Sequence, residues 1–295
     1  MNRFLAAAIQ MNSQPDVNHN MKQVGEQIKK AAYEGAAFAA LPENFAFLGD
    51  EEEKHRQAEN IAEHVMEQLP KWAKEYGLTI LAGGFPVRSD SSKVYNRAML
   101  FDAAGDILGQ YDKIHLFDIS LSKEESYQES ELVEAGQHQA IVCDTDLGLN
   151  PHPAKRYTGD KSTVKRDIGD DKPGTRIGLS ICYDIRFPEL YRKLSEQGAD
   201  VLCVPSAFTR PTGEAHWEVL LRARAIENSA YVIAPAQTGL HGKKRTTHGH
   251  SMIIDPWGRV LADAGTGPGT IFAEIDTAYL QDVRQKLPSL KHRVM

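Results

Sequence analysis

Cysteine is scarce in this chain of 295 residues. There are three, an odd number at wide spacing, so no disulfide framework can be built from them. Long apolar runs are missing as well. None approaches the 18 or more residues of a membrane helix, and no membrane partner is expected. Positive charge is not in excess: 34 Lys and Arg stand against 40 Asp and Glu, a formal net charge of −6. That balance argues against a surface that holds nucleic acid through phosphate contacts. Eleven histidines include His241, His248 and His250, yet no His, Cys and carboxylate spacing matches a metal site. Gly83-Gly84 and Gly265-Thr266-Gly267 read as turns, not as complete phosphate-binding loops. No metal and no cofactor is expected. The opening nine residues are too short and too weakly basic for a secretory signal, so the expected compartment is the cytoplasm.

What is present is an alternation of short β-type runs with longer amphipathic stretches. Residues 4–11, 36–41, 78–84, 94–101 and 107–111 read as strands. Residues 18–34 and 56–76 read as helices, with Pro70 expected to kink or divide the second. The rhythm returns later, with strands at 176–181, 201–204, 231–234, 250–255, 259–262 and 270–275. Helices are expected at 187–197, 213–228 and 277–286. Two β-rich halves with helices between them predict layered sheets with helices outside, in a single α/β domain over 1–295. A polar stretch at 150–174, with Pro151, Pro153, Pro173 and many charges, breaks the rhythm. It reads as a solvated insertion or, alternatively, a lid.

Three residues carry chemistry by position. An apolar strand runs into Cys182, and Pro188 marks a helix start just after it. A thiol at such a turn is expected at the exposed sheet end, where helix amides and a nearby cation favour the thiolate. The alternative, a buried structural cysteine, is the reading kept for Cys143 and Cys203. Glu43 follows a strand at its carboxyl end, where α/β sheets bind ligands; otherwise it is a solvated loop carboxylate. Lys113 also follows a strand, and alone it reads as a surface charge. Glu129 has no signal of its own. Trp217 and Trp257 read as core or interface aromatics. Taken together, a thiol, a carboxylate and a cation complete an acyl-transfer site.

At these residues the sequence resembles the nitrilase superfamily of carbon–nitrogen hydrolases. Leu41-Pro42-Glu43, the segment from Tyr111 to Asp118 and the segment from Ile181 to Glu189 match its three motifs in order. The resemblance implies a Glu-Lys-Cys catalytic set of Glu43, Lys113 and Cys182, with Glu129 as a second glutamate. It also implies a four-layer α-β-β-α sandwich, a site at the sheet ends and a homodimer or higher homo-oligomer formed through helices. Later segments, among them Pro205 to Thr209 and Gly249 to Gly258, resemble the deaminated-glutathione amidases most. The implied reaction is hydrolysis of a small carboxylate-bearing amide to the acid and ammonia, through an acyl-cysteine. Substrate contacts are expected from Tyr183, whose N–H joins Lys113 at the oxyanion, from Thr209, and from Arg186 as a carboxylate clamp. An ion pair is the alternative for Arg186. Two other functions stay open: an omega-amidase on short 2-oxo amides, and a catalytically silent dimeric binding protein.

Overall fold

In β1 (Arg3–Gln10) small apolar residues alternate between two buried faces, and this decides how the chain is layered. Ala6 and Ala8 pack with residues of a second sheet, whereas Ala7 and Ile9 pack with helices. The computed structural model describes residues 3–120, 126–149, 174–243 and 245–294. The other strands of the first half are β2 (Phe38–Ala40), β3 (Thr79–Arg88), β4 (Val94–Phe101), β5 (Ile107–Asp112), β6 (Asp118–Ser120), β7 (Ser126–Gln128) and β8 (Ile141–Asp144). The second half supplies β9 (Arg176–Leu179), β10 (Val201–Cys203), β11 (Tyr231–Ala234), β12 (Thr238–His241), β13 (Arg245–His248), β14 (Met252–Ile254), β15 (Val260–Asp263) and β16 (Gly269–Asp276). The helices are α1 (Val17–Tyr33), α2 (Glu51–Arg56), α3 (Ala58–Tyr76), α4 (Pro188–Glu196), α5 (Arg210–Asn228) and α6 (Thr277–Lys286).

Two six-stranded sheets result, ordered β16-β1-β2-β3-β4-β5 and β15-β14-β11-β10-β9-β8. In each, three neighbouring strands run parallel, and the remaining pairings are antiparallel. One sheet repeats the plan of the other: β1, β2, β3, β4 and β5 correspond to β9, β10, β11, β14 and β15. Met21, Val24 and Ile28 of α1 and Ile61, Val65 and Leu69 of α3 cover the outer face of the first sheet. Leu190 and Leu194 of α4 and Trp217, Leu221 and Ala225 of α5 belong to the core of the second. The fold is the expected α-β-β-α sandwich.

Three local expectations are corrected. Pro70 does not divide its helix: α3 runs through it, and the break falls at Gln57, before α3. Proline there costs one hydrogen bond, and the burial of Leu69 and Ala73 on the same helix outweighs it. Gly83-Gly84 is no turn but an irregularity inside β3, where the pairing with β4 shifts register. Helix α5 begins three residues before the expected 213, at Arg210, because Pro211 fits a first helical turn. Five short strands (β6, β7, β8, β12 and β13) had no counterpart in the sequence reading. Residues 150–173 of the expected insertion lie outside the described residues.

Candidate active site

Glu43, Lys113, Glu129 and Cys182 converge although 139 positions separate the first from the last (182 − 43). Each follows the end of a strand or a short turn, so the sheet ends set their positions. After β2, Leu41 donates one more bond to Leu81 O, and the chain then turns at Asn44, with φ of +59°. The close approach depends on glycine. A Cβ on Gly83 would sit 2.3 Å from Pro42 O, and one on Gly84 2.1 Å from Asn96 Oδ1. Glu43 ends up 2% exposed, not solvated.

Lys113 follows β5 and is equally buried. Its Nζ lies 2.8 Å from Glu129 Oε2 and 3.2 Å from Glu43 Oε1. Asn96 of β4 ties the two carboxylates together. Its Nδ2 donates to Glu43 Oε1 at 2.9 Å and to Glu129 Oε1 at 3.2 Å. From the segment that follows β10, Ala207 N donates to Glu43 Oε2 at 2.9 Å. Phe117 N donates to Glu129 Oε2 at 2.7 Å.

Cys182 opens a tight 3₁₀ turn, Cys182–Arg186, in the left-handed region at φ +49°. A side-chain-bearing residue there stores strain of order 1–3 kcal/mol, so neighbouring bonds must hold it. Asp184, fully buried, does so. Its Oδ2 accepts from Ile181 N and from Tyr111 Oη, and its Oδ1 accepts from the His115 backbone N and lies 2.7 Å from His115 Nδ1. One carboxylate thus clamps the thiol's turn to the segment that carries Lys113.

The thiol differs from its sequence expectation. It is 7% exposed, and the α-helix expected to favour its thiolate starts only at Pro188, six residues on (188 − 182). Burial, then the Glu43 charge, push its pKa well above the ordinary thiol value; Lys113 and the Ala207 N–H only partly oppose them. Burial alone would raise Glu43. Lys113, the Cys182 thiol, Arg245 and Asn96 nevertheless hold it below the usual carboxylate range. Burial would lower Lys113, yet Glu129 and Glu43 keep it charged to well above the usual lysine value. The resting site is a protonated thiol, an ionised carboxylate and an ammonium.

These residues line one cavity together with Tyr183, Phe208, Thr209, Glu51, Lys54 and Arg245. Thr209 is buried, its Oγ1 2.7 Å from Thr212 Oγ1. Arg186 is absent from the described residues that line the cavity. Its guanidinium instead lies 5.3 Å from the Phe208 ring centre and 5.9 Å from that of Tyr183, beside His216 Nδ1 at 3.4 Å. The sequence reading did not single out Asn96, Asp184, Lys54 or Arg245. Asp184 lies inside a matched motif and was within reach. Lys54 and Arg245 sit in charge-rich stretches that look solvated.

The sequence model of the carbon-nitrogen hydrolase family matches residues 5–285. A deaminated glutathione amidase of Synechocystis sp. is 50% identical over 296 residues, covering 100% of this chain and 99% of that protein. The deaminated glutathione amidase of Homo sapiens is 38% identical across 98% of this chain and 82% of its own length. Among solved structures, the C. elegans NitFhit protein superposes with a TM-score of 0.86 at 36% identity, covering 100% of this chain and 66% of that one. Saccharomyces cerevisiae Nit3, a member of branch 10 of the nitrilase superfamily, gives 0.78 at 26% identity, with coverages of 97% and 95%.

Proposed function

Because this chain belongs to the carbon-nitrogen hydrolase family, we propose that it is an amidase acting on deaminated glutathione through an acyl-Cys182 intermediate. The observation that carries the chemistry is the convergence of the Cys182 thiol, the Glu43 carboxylate and the Lys113 amine in one cavity. As Cys182 Sγ attacks the amide carbon, Glu43 takes the thiol proton. Lys113 Nζ and the Tyr183 N–H receive the oxyanion. Protonated Glu43 then gives its proton to the departing nitrogen, and the C–N bond breaks to leave a thioester. Water attacks the thioester as Glu43 takes its proton. The C–S bond breaks, the acid leaves, and the proton returns to sulfur. Glu129 holds Lys113 in place throughout.

Chemistry refines the expected products. In deaminated glutathione the scissile nitrogen belongs to cysteinylglycine, so 2-oxoglutarate and that dipeptide leave; ammonia leaves only from a primary amide. Arg186, beside the cavity and partly exposed, is proposed to meet the outer carboxylate of the dipeptide, with Thr209 and Tyr183 lining the path. We also propose a cytoplasmic homodimer. Val219 and Ile226 are exposed two turns apart on α5, and Ile226 Cδ1 packs against the turn at Gly258, next in sequence to exposed Trp257, an apolar surface that suits a second copy.

The test is a purified-enzyme assay with deaminated glutathione and neutral amides of similar size, with mass spectrometry of quenched protein and light scattering of the assembly. The expected result is at least a tenfold preference in kcat/KM for the acid peptide and a 2-oxoglutaryl adduct on Cys182 alone. Equal turnover of neutral amides, or no adduct, removes the assignment.

A further inference from the structure

The mechanism leaves one charged group of the cavity unused. Glu51, at the start of α2, lies between two cations, with Oε2 2.5 Å from Lys54 Nζ and Oε1 2.8 Å from Arg245 Nη1. All three line the same cavity as Cys182. Two cations on one carboxylate leave a net charge of +1 there. Lys54 also donates to Asn44 Oδ1, at 3.2 Å. Arg245 Nε, by contrast, is buried with no hydrogen-bond partner among the described residues. A guanidinium that lines the cavity and is only half matched by one carboxylate suits a ligand carboxylate in shape and charge.

Its hairpin is tied down at the base. Arg245 begins β13, whose hairpin with β12 is pinned where His241 bridges Ser13 O at 2.7 Å and Thr247 Oγ1 at 2.6 Å. The Tyr127 ring lies 5.6 Å from the guanidinium carbon. Arg186 packs over the rings of Tyr183 and Phe208 and is not among the described residues that line the cavity.

We infer that Arg245, with Lys54 held beside it by Glu51, anchors the carboxylate on the acyl half of the substrate, the end that stays on Cys182 after the amine has left. The inference rests on the amidase reading above and deepens it. It assigns the preference for acid amides to residues from the α2 start and the β12–β13 hairpin, outside the three matched motifs. A buried anchor suits the acyl half, because the leaving half must pass outward while the thioester waits for water.

Two five-carbon primary amides test it, glutaramate with a carboxylate and pentanamide without. Arg245→Gln is expected to lower the ratio of their kcat/KM values at least tenfold, chiefly through KM for glutaramate. Arg245→Lys keeps the charge but loses the planar fork, and the ratio should fall by a smaller factor. A ratio unchanged in Arg245→Gln overturns the inference and leaves Arg245 a structural partner of Glu51. Calorimetry of 2-oxoglutarate binding to Cys182→Ala, with and without Arg245→Gln, separates this from the amidase reading. A Kd raised tenfold or more, with the thermal midpoint retained, supports the anchor even if neither amide is turned over. Equal binding, or none to either protein, overturns it.

Discussion

The two ends of the cavity are built as opposites. At one end a single cation, Lys113, sits between two carboxylates, Glu43 and Glu129. At the other a single carboxylate, Glu51, sits between two cations, Lys54 and Arg245. The first end carries a net −1 and keeps a base ionised beside a reluctant thiol. The second carries a net +1 and has an unused donor. A small amide acid needs both, because its neutral carbonyl must meet charge that develops during reaction while its carboxylate brings charge from the start. The ends therefore differ in what substitutions should cost: turnover at the first, selectivity at the second.

The strongest way to break this comparison is Lys113→Arg. The charge is kept, but a planar guanidinium cannot fill a compact site whose carboxylates, Glu43 and Glu129, sit 3.2 and 2.8 Å from the ammonium. Loss of a placed oxyanion donor is expected to lower kcat by roughly 10²–10³-fold with both acid and neutral amides. Steady-state kinetics decide. Activity within tenfold of the parent, or a loss confined to the acid amide, would mean that charge at this end acts only from a distance.

Asn96→Ala should act less strongly and show itself in a different measurement. Asn96 positions Glu43 and Glu129 without being placed to touch substrate, and its loss leaves each carboxylate short of a buried donor, worth about 1–3 kcal/mol. Turnover should fall about tenfold. The pH profile is the sharper readout. Glu43 works as the ionised base, so kcat/KM falls as pH drops through its lowered pKa, and loss of the Asn96 hydrogen bond should move that acid limb upward. An acid limb that stays in place would assign Asn96 to packing alone.

The last effect concerns the cationic end and falls on stability, leaving turnover at neutral pH the least changed. The His241 side chain, bonded to Ser13 O, must carry its proton on Nδ1, since a carbonyl only accepts. Burial, with Arg245 adding to it and the Ser13 bond opposing, lowers its pKa from 6.5 to about 4. The folded value lies below the unfolded one, so stability present above pH 6.5 is lost as pH falls towards 4. Linkage puts the total at about 3 kcal/mol. Denaturant titrations between pH 7 and pH 4 should show this loss in the parent and a flatter profile in His241→Gln. Equal slopes in the two proteins would remove the hairpin as the acid-sensitive part.

Legibility in the sequence followed distance along the chain. Strands β4 and β5 and helix α6 are apolar or amphipathic over enough residues that periodicity locates them almost to the residue. The hairpin β12–β13 is four residues a side and polar, and nothing local distinguishes it from a solvated turn. Glu43, Lys113 and Cys182 stood out because each follows such a strand. Glu129 was found only through the family resemblance. Arg245 follows Gly242-Lys243-Lys244, where basic residues look like a loop tip, and Lys54 closes an acidic run. Their burial arises only when α2 and the hairpin meet over the cavity.

Composition, alternation and three short motifs were sufficient to determine the layers, the family and the residues at the sheet ends, because each is written in neighbouring positions. The protonation state of Cys182 was not. Read locally, a cysteine before a helix is a thiolate; folded, it is mostly buried beside the Glu43 carboxylate, and both push its pKa upward. The same holds for the spare charge at Arg245 and for the Asn96 link between two acids. Electrostatic energies depend on separation through space and on the exclusion of solvent, and sequence order encodes neither.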